Sequence, residues 1–150
     1  MQKTLSKKEI KELNEKISLF NIELNKKDHI VYFEDEFKYY KWNDLISFFV
    51  YEENILPTLK LVLKNNIGFS SIYVDKGAIP FVIKGADIMR PGIKLTDEFN
   101  ENSFILIRDE TAKKPIAIGF SKLSSTDLMK ETKGRLIKNI HYFGDELWKM

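Results

Sequence analysis

The sequence predicts an α+β fold, a small unit of helices and strands followed by a small, mostly antiparallel barrel. Three observations predict it. An amphipathic helix opens the chain. The strand-like runs that follow are not separated by long helices, which argues against a doubly wound parallel sheet. The second half alternates short strands with small helices and has no repeat of fixed period. With 150 residues the chain has the length of one ordinary domain or two small ones. A chain this long can bury roughly 70% of its unfolded surface, so no covalent staple is needed.

Ser6-Lys7-Lys8-Glu9 has the form of a capping box, and it starts the first helix. Ile10, Leu13, Ile17, Phe20 and Leu24 then recur at helical spacing, one apolar face among Lys and Glu. His29 to Phe33 reads as a strand, Glu34 to Glu36 as a polar turn and Phe37 to Trp42 as the returning strand of a hairpin. Leu45 to Tyr51 is a third strand, rich in aromatic and branched residues. Asn54 to Pro57 is expected to open a helix, because proline suits a first turn. That helix ends at Asn65-Asn66-Ile67-Gly68.

A new unit is expected near Ser70, which divides the chain into residues 1–70 and 71–150. Ser71 to Asp75 is a strand and Ile79 to Lys84 a short apolar helix. Arg90-Pro91-Gly92 is a turn. Ser103 to Arg108 and Pro115 to Leu123 are strands, and Gly119 inside the second marks a bulge or a close backbone approach. Ser125-Thr126-Asp127 caps a short helix through Lys130, Leu136 to Phe143 is the final strand, and Asp145 to Trp148 closes the chain with one turn.

Composition removes several function classes. There is no cysteine, hence no disulfide, cysteine nucleophile or thiolate metal site. This fits a cytoplasmic protein. No apolar run reaches the length of a membrane span, and the Lys-rich start does not read as a signal peptide. Neither His29 nor His141 has a second ligand at helical spacing, and a lone strand histidine is most often packed or hydrogen-bonded. Glu34-Asp35-Glu36, Asp97-Glu98 and Asp109-Glu110 read as solvated turn carboxylates. No Walker A loop, G-x-S-x-G elbow or H-E-x-x-H is present, so no catalytic, cofactor or metal residues are assigned. The net charge of +2 falls entirely in residues 71–150, where 13 Lys and Arg meet 11 Asp and Glu. That excess is a mild lean toward a polyanion, not a basic stripe.

The segment from Lys76 to Ile93 carries the most information. Gly77, Gly85 and Gly92 let the backbone turn tightly and approach a ligand. Exposed amides in such turns can donate to phosphate or sugar oxygens. Lys76, Lys84 and Arg90 supply positive charge beside them, while Ile79, Phe81, Val82 and Ile88 are expected to anchor the loops on a core.

Lys76-Gly77-Ala78, Gly85-Ala86, Ile88 and Pro91-Gly92-Ile93 resemble the signature of the PUA domain, the RNA-binding module named after pseudouridine synthases and archaeosine transglycosylases. Pro115, Ile116, Ala117 and Gly119 match its later half. Pro57 to Leu61, Val74 to Ala78, Asn139 to Tyr142 and Leu147-Trp148 extend the resemblance to the malignant T-cell-amplified sequence family and its archaeal relatives. The match spans almost the whole chain and is weakest over the first 40 residues. The Lys-rich, Cys-free composition fits an archaeal-type member.

The resemblance implies a small α/β N-terminal domain before a PUA pseudobarrel of mostly antiparallel strands. It implies binding, not catalysis. The partners it implies are a tRNA acceptor end or its 3′ CCA, small-subunit rRNA, and the small ribosomal subunit during initiation, reinitiation or recycling. Nothing in the chain looks like an SUI1-type extension, so the resemblance implies either an SUI1-type protein partner that supplies that activity or, in an archaeal-type member, the lack of it. Carried over by position, the RNA contacts are Lys76, Gly77, Ala78, Lys84, Gly85, Ala86, Asp87, Ile88 and Met89. Arg90 is added on its charge, to pair with a phosphate or stack on a base. A second reading of the same surface is an RNA-targeting subunit for a tRNA- or rRNA-modifying enzyme.

Overall fold

The computed structural model describes all 150 residues. They form two compact units, residues 1–67 with Met150 and residues 68–149.

The first unit is a five-stranded sheet of β1 (Gln2–Thr4), β2 (Ile30–Glu34), β3 (Lys38–Trp42), β4 (Leu45–Tyr51) and β5 (Asn54–Pro57), with α1 (Lys7–Ile17) and α2 (Leu59–Asn65). The strands lie in chain order and every pair is antiparallel. The expected capping box is present: the Glu9 amide donates to Ser6 Oγ at 3.2 Å and the Ser6 amide to Glu9 Oε1 at 3.0 Å. The Lys3 ammonium, 2.6 Å away, and the Ser6 amide hold the Glu9 carboxyl down at about 2.

The helix stops at Ile17 instead of running on to Leu24. Residues 18–20 tighten into one 3₁₀ turn, and Asn21 turns left-handed with φ 57°. Phe20 and Leu24 are buried all the same. Asn14 pins Leu24 at both ends, accepting from its amide at 2.7 Å and donating to its carbonyl at 2.9 Å. Residues 54–57 form strand β5, not the start of a helix. Glu52 and Glu53 both take positive φ and turn the chain back on β4, where Pro57 pairs with Phe48 at the sheet edge, a position that needs no amide donor. Thr58 then caps α2, accepting from the Leu61 amide at 3.2 Å and donating to the Ile46 carbonyl at 2.8 Å. Strand β1 has no counterpart in the sequence reading, because its three residues are exposed and carry no apolar alternation.

The second unit contains β6 (Ser71–Val74), α3 (Ile79–Val82), β7 (Ile88–Met89), β8 (Ile93–Thr96), β9 (Ser103–Asp109), β10 (Pro115–Ser121), α4 (Ser125–Lys130), β11 (Arg135–Tyr142) and α5 (Glu146–Lys149). The strand order is β7-β11-β10-β9-β6-β8, and only β6 and β9 run parallel. The mostly antiparallel arrangement therefore holds. Its core gathers Ile72, Val74, Val82, Ile88, Ile105, Ile107, Leu128 and Ile137 among others. Gly119 sits at a register shift between β10 and β11, where a Cβ would come within 2.6 Å of Ile137 Cγ2 and 2.9 Å of the Lys138 carbonyl.

Strand β8 was not evident in the sequence. The cap of α4 is Ser124, not Ser125: Ser124 Oγ accepts from the Asp127 amide, while Ser125 turns inward and accepts from the Phe99 amide. His141 on β11 is 1% exposed, with Nδ1 at 2.8 Å from Asp145 Oδ2. Burial pushes the Asp145 carboxyl up. Its bonds from His141 and from the Trp148 and Tyr142 amides outweigh that and hold it below the ordinary carboxylate range.

Candidate nucleic-acid interface

Residues 75–92 lead from β6 to β8 through α3 and β7. Val82 at the end of α3 and Ile88 on β7 are buried, and they seat the segment on the core. β11 ties it down. The Asn139 side-chain amide donates to the carbonyls of Val82 and Ala86 at 3.0 Å each, and the Asn139 backbone amide donates to Asp87 Oδ1 at 2.9 Å. Gly85 takes φ 93°, and a Cβ there would lie 3.0 Å from the Tyr142 ring. This position needs glycine for both conformation and space. The ends of the segment close where the Asp75 amide donates to the Gly92 carbonyl at 3.0 Å.

The segment lines most of a half-open cavity of about 670 Å³. Of the ten residues expected from the sequence, Gly77, Ala78, Gly85, Ala86, Asp87, Ile88 and Met89 line it, whereas Lys76, Lys84 and Arg90 do not. Lys76 and Lys84 are exposed on the same segment. Arg90 departs most from expectation. Its Nε donates to the Glu131 carbonyl at 2.8 Å, Nη1 to Ile93 at 2.9 Å and Nη2 to Met129 at 3.5 Å. The guanidinium thus closes the C-terminal end of α4, and three of its five N–H donors go to backbone carbonyls.

Two other expectations change. Phe81 does not anchor the loop: it is 65% exposed and lines the cavity, because a helix as short as α3 cannot bury both Phe81 and Val82 on one face. Ile88 is only 2% exposed, so its side chain serves the core and not a ligand. The amides of Phe81 to Ala86 all bond within the segment, so the turns do not form an open amide cradle there. The Lys76 and Gly77 amides take no protein acceptor.

Sequence reasoning missed Arg135, an exposed residue that lines the cavity from β11, where it pairs with Met89 of β7. No local signal marks it, since a two-residue strand pairing across 46 positions is invisible to spacing rules. It also missed Asp75, whose Oδ1 accepts from the Ala78 amide at 2.9 Å and whose Oδ2 lies 3.9 Å from Lys94 Nζ. Met89, 47% exposed, adds a second apolar side chain to the lining. The arrangement can take a flat apolar group between side chains and present hydrogen-bonding groups at its edge.

Comparison with known proteins matches each unit separately. The PUA domain model matches residues 70–143, and a domain of unknown function, DUF1947, matches residues 2–65. An uncharacterized protein of Methanocaldococcus jannaschii is 35% identical over 150 residues, covering 96% of this chain and 93% of that protein. Translation machinery-associated protein 20 of Schizosaccharomyces pombe is 37% identical over 122 residues, covering 77% of this chain and 67% of that protein. The crystal structure of a hypothetical protein from Pyrococcus horikoshii superposes with a TM-score of 0.84 at 28% identity, over 99% of this chain and 98% of the other. With both units matched and in this order, the chain belongs to the family of PUA-domain proteins that includes translation machinery-associated protein 20 and the malignant T-cell-amplified sequence proteins.

Proposed function

We propose that this chain is a non-catalytic RNA-binding protein of the translation machinery. It engages tRNA at the acceptor end and works on the small ribosomal subunit in initiation, reinitiation or recycling, in the cytoplasm and with an SUI1-type protein partner. The observation that carries the reading is the cavity between Gly77 and Gly92, built inside the PUA unit from exposed Phe81 and Met89 together with the Gly77 amide, which no protein group accepts from. Aromatic and apolar faces held next to hydrogen-bonding groups suit an unstacked base. Lys76 and Lys84, exposed on the same segment, supply charge for the adjoining phosphates. The names of the relatives supply the translational setting.

The test is fluorescence anisotropy with one tRNA, intact and lacking its 3′ CCA, at two salt concentrations. Intact tRNA is expected to bind more tightly at both, because phosphate attraction alone weakens with salt and does not distinguish the two. Equal, strongly salt-dependent binding would overturn acceptor-end capture. Co-sedimentation of the chain with purified small ribosomal subunits tests the second half of the reading.

A further inference from the structure

Residues 1–67 hold 11 lysines against 11 Asp and Glu, so the first unit is neutral by composition. The fold sorts those charges. Strand β1 runs along β2 from Phe33 to Val31 before α1 begins, so the helix starts at one end of the sheet. The β2–β3 and β4–β5 connections, with Glu34, Asp35, Glu36, Glu52 and Glu53, lie at the other. At the start of α1, an open groove of about 620 Å³ lies between the helix and residues 23–26. Lys7, Lys8 and Lys11 line it from the helix and Lys26 from the facing segment, against one carboxylate, Glu23. All four lysines are exposed, and none of their ammonium groups pairs with a protein group.

The fold gains nothing from these positions. Lys7 and Lys8 stand in the first turn of α1, where the helix dipole disfavours a cation, and Lys11 shares a face with both. The groove is nevertheless firmly built. Asn14 holds the Leu24 backbone from both sides, and Asp28 accepts from the Asn25 amide at 2.9 Å, bracing the segment that carries Lys26. Its floor, Ile10 and Leu24, is at most 2% exposed, and no aromatic side chain lines it. Such a groove offers charge, with nothing on which to stack a base or anchor an apolar residue of a peptide.

Resting on the RNA-binding reading above for the class of partner, we propose that this lysine groove is a second RNA site, within the first unit. It holds the sugar-phosphate backbone and reads neither sequence nor ends. Lysine is a point charge that binds phosphate without the fixed geometry of arginine, so it suits a strand in any register. Lys7 and Lys11 are one turn apart, about 6 Å along the helix, on the scale of the step between successive phosphates of an A-form strand. Lys26 faces them from the other wall, and the acidic connections at the far end of the sheet repel the strand from there.

The experiment uses the full chain and a labelled blunt-ended RNA duplex, which offers no unpaired 3′ end. Lys7→Gln, Lys8→Gln, Lys11→Gln and Lys26→Gln are combined in one variant. A control variant removes four other exposed lysines, Lys16, Lys64, Lys122 and Lys149, by the same substitution. The groove variant is expected to bind the duplex about tenfold more weakly at low salt, with the slope of log K against log salt reduced by about two. The control is expected to stay within about twofold of the parent. The melting temperature of the groove variant is expected not to fall, since the charges removed oppose the helix dipole. Its preference for intact tRNA over tRNA lacking the 3′ CCA is expected to persist. Equal losses in the two variants, or no duplex binding by the parent, would overturn the groove as an RNA site. Polyglutamate bound as tightly as the duplex, through the same four lysines, would overturn it in favour of an acidic protein segment. A parent chain that binds the duplex through the groove but shows no tRNA preference would overturn acceptor-end capture and leave the groove standing.

Discussion

The two units reverse the direction of the chain with different residues. Residues 1–67 contain no glycine, and all seven glycines lie in residues 68–149. The first unit turns on Asn43-Asp44 and Glu52-Glu53, four residues with φ between 45° and 70°. A non-glycine residue in that region costs roughly 1–2 kcal/mol. The cost is tolerable because each such turn joins strands adjacent in sequence, so pairing follows at once with little loop-closure entropy. In the second unit the strand order departs from the chain order, and three glycines sit where backbone meets a distant element: Gly85 against Tyr142, Gly92 against Ala78, Gly119 against Ile137. Only Gly134 and Gly144 combine positive φ with open space. Glycine in the second unit chiefly permits close approach, and the cavity is one product of that.

This contrast can be broken most severely at Gly119. Gly119→Ala places a methyl 2.6 Å from Ile137 Cγ2 and beside the Lys138 carbonyl, and is expected to destabilise the second unit by about 3 kcal/mol. Urea unfolding measures it, and a variant as stable as the parent would show that the close approach is not needed.

Arg90→Ala comes next. It leaves three carbonyls without their donor and is expected to cost about 2 kcal/mol, visible as a lower melting temperature. Arg135→Ala, at an exposed position that lines the cavity, is expected to stay within about 0.5 kcal/mol while weakening RNA binding. The opposite pattern would return the RNA contact to Arg90.

The first unit offers the converse change. Replacing Glu52-Glu53 with Asn-Gly supplies the residues that a two-residue hairpin turn favours, and is expected to stabilise by about 1 kcal/mol. A neutral result would mean that those glutamates make compensating interactions in the folded state.

The smallest effect is on the acid side of the second unit. Because the Asp145 carboxyl is held below its ordinary range, folding favours its ionised form. Its contribution is complete above about pH 5 and is lost as the pH falls through the ordinary carboxylate range toward its folded value. Unfolding free energies of wild type and Asp145→Asn, measured from pH 6 downward, are expected to converge as the pH drops. Parallel curves would assign the acid sensitivity to other carboxylates.

The parts of the fold legible in the sequence are those whose causes are local. The Ser6 capping box, the hairpin of Val31 with Lys41, the strand Leu45 to Tyr51 and the bulge at Gly119 each depend on residues within a few positions or on a missing side chain. Misreadings occur where a local preference had two outlets. Pro57 suits the first turn of a helix and also the end of an edge strand, and the turn at Glu52-Glu53 chose the strand. Leu24 continues a helical spacing, yet it is buried after the helix has ended, where the side chain of Asn14 holds its backbone.

The candidate site divides the same way. Its glycines, its short apolar helix and the family to which they belong were written in residues 76–93, because backbone conformation and turn chemistry act over single residues. Which side chains face the cavity was settled only by the tertiary structure. Burial of Val82 and Ile88 in the core turns Phe81 and Met89 outward, and pairing of β7 with β11 brings Arg135 to the lining. Arg90 has the same charge in either setting; carbonyls at Met129 and Glu131, some forty residues away, take up its donors. A residue's chemistry is its own, but its availability depends on distant groups that satisfy it first.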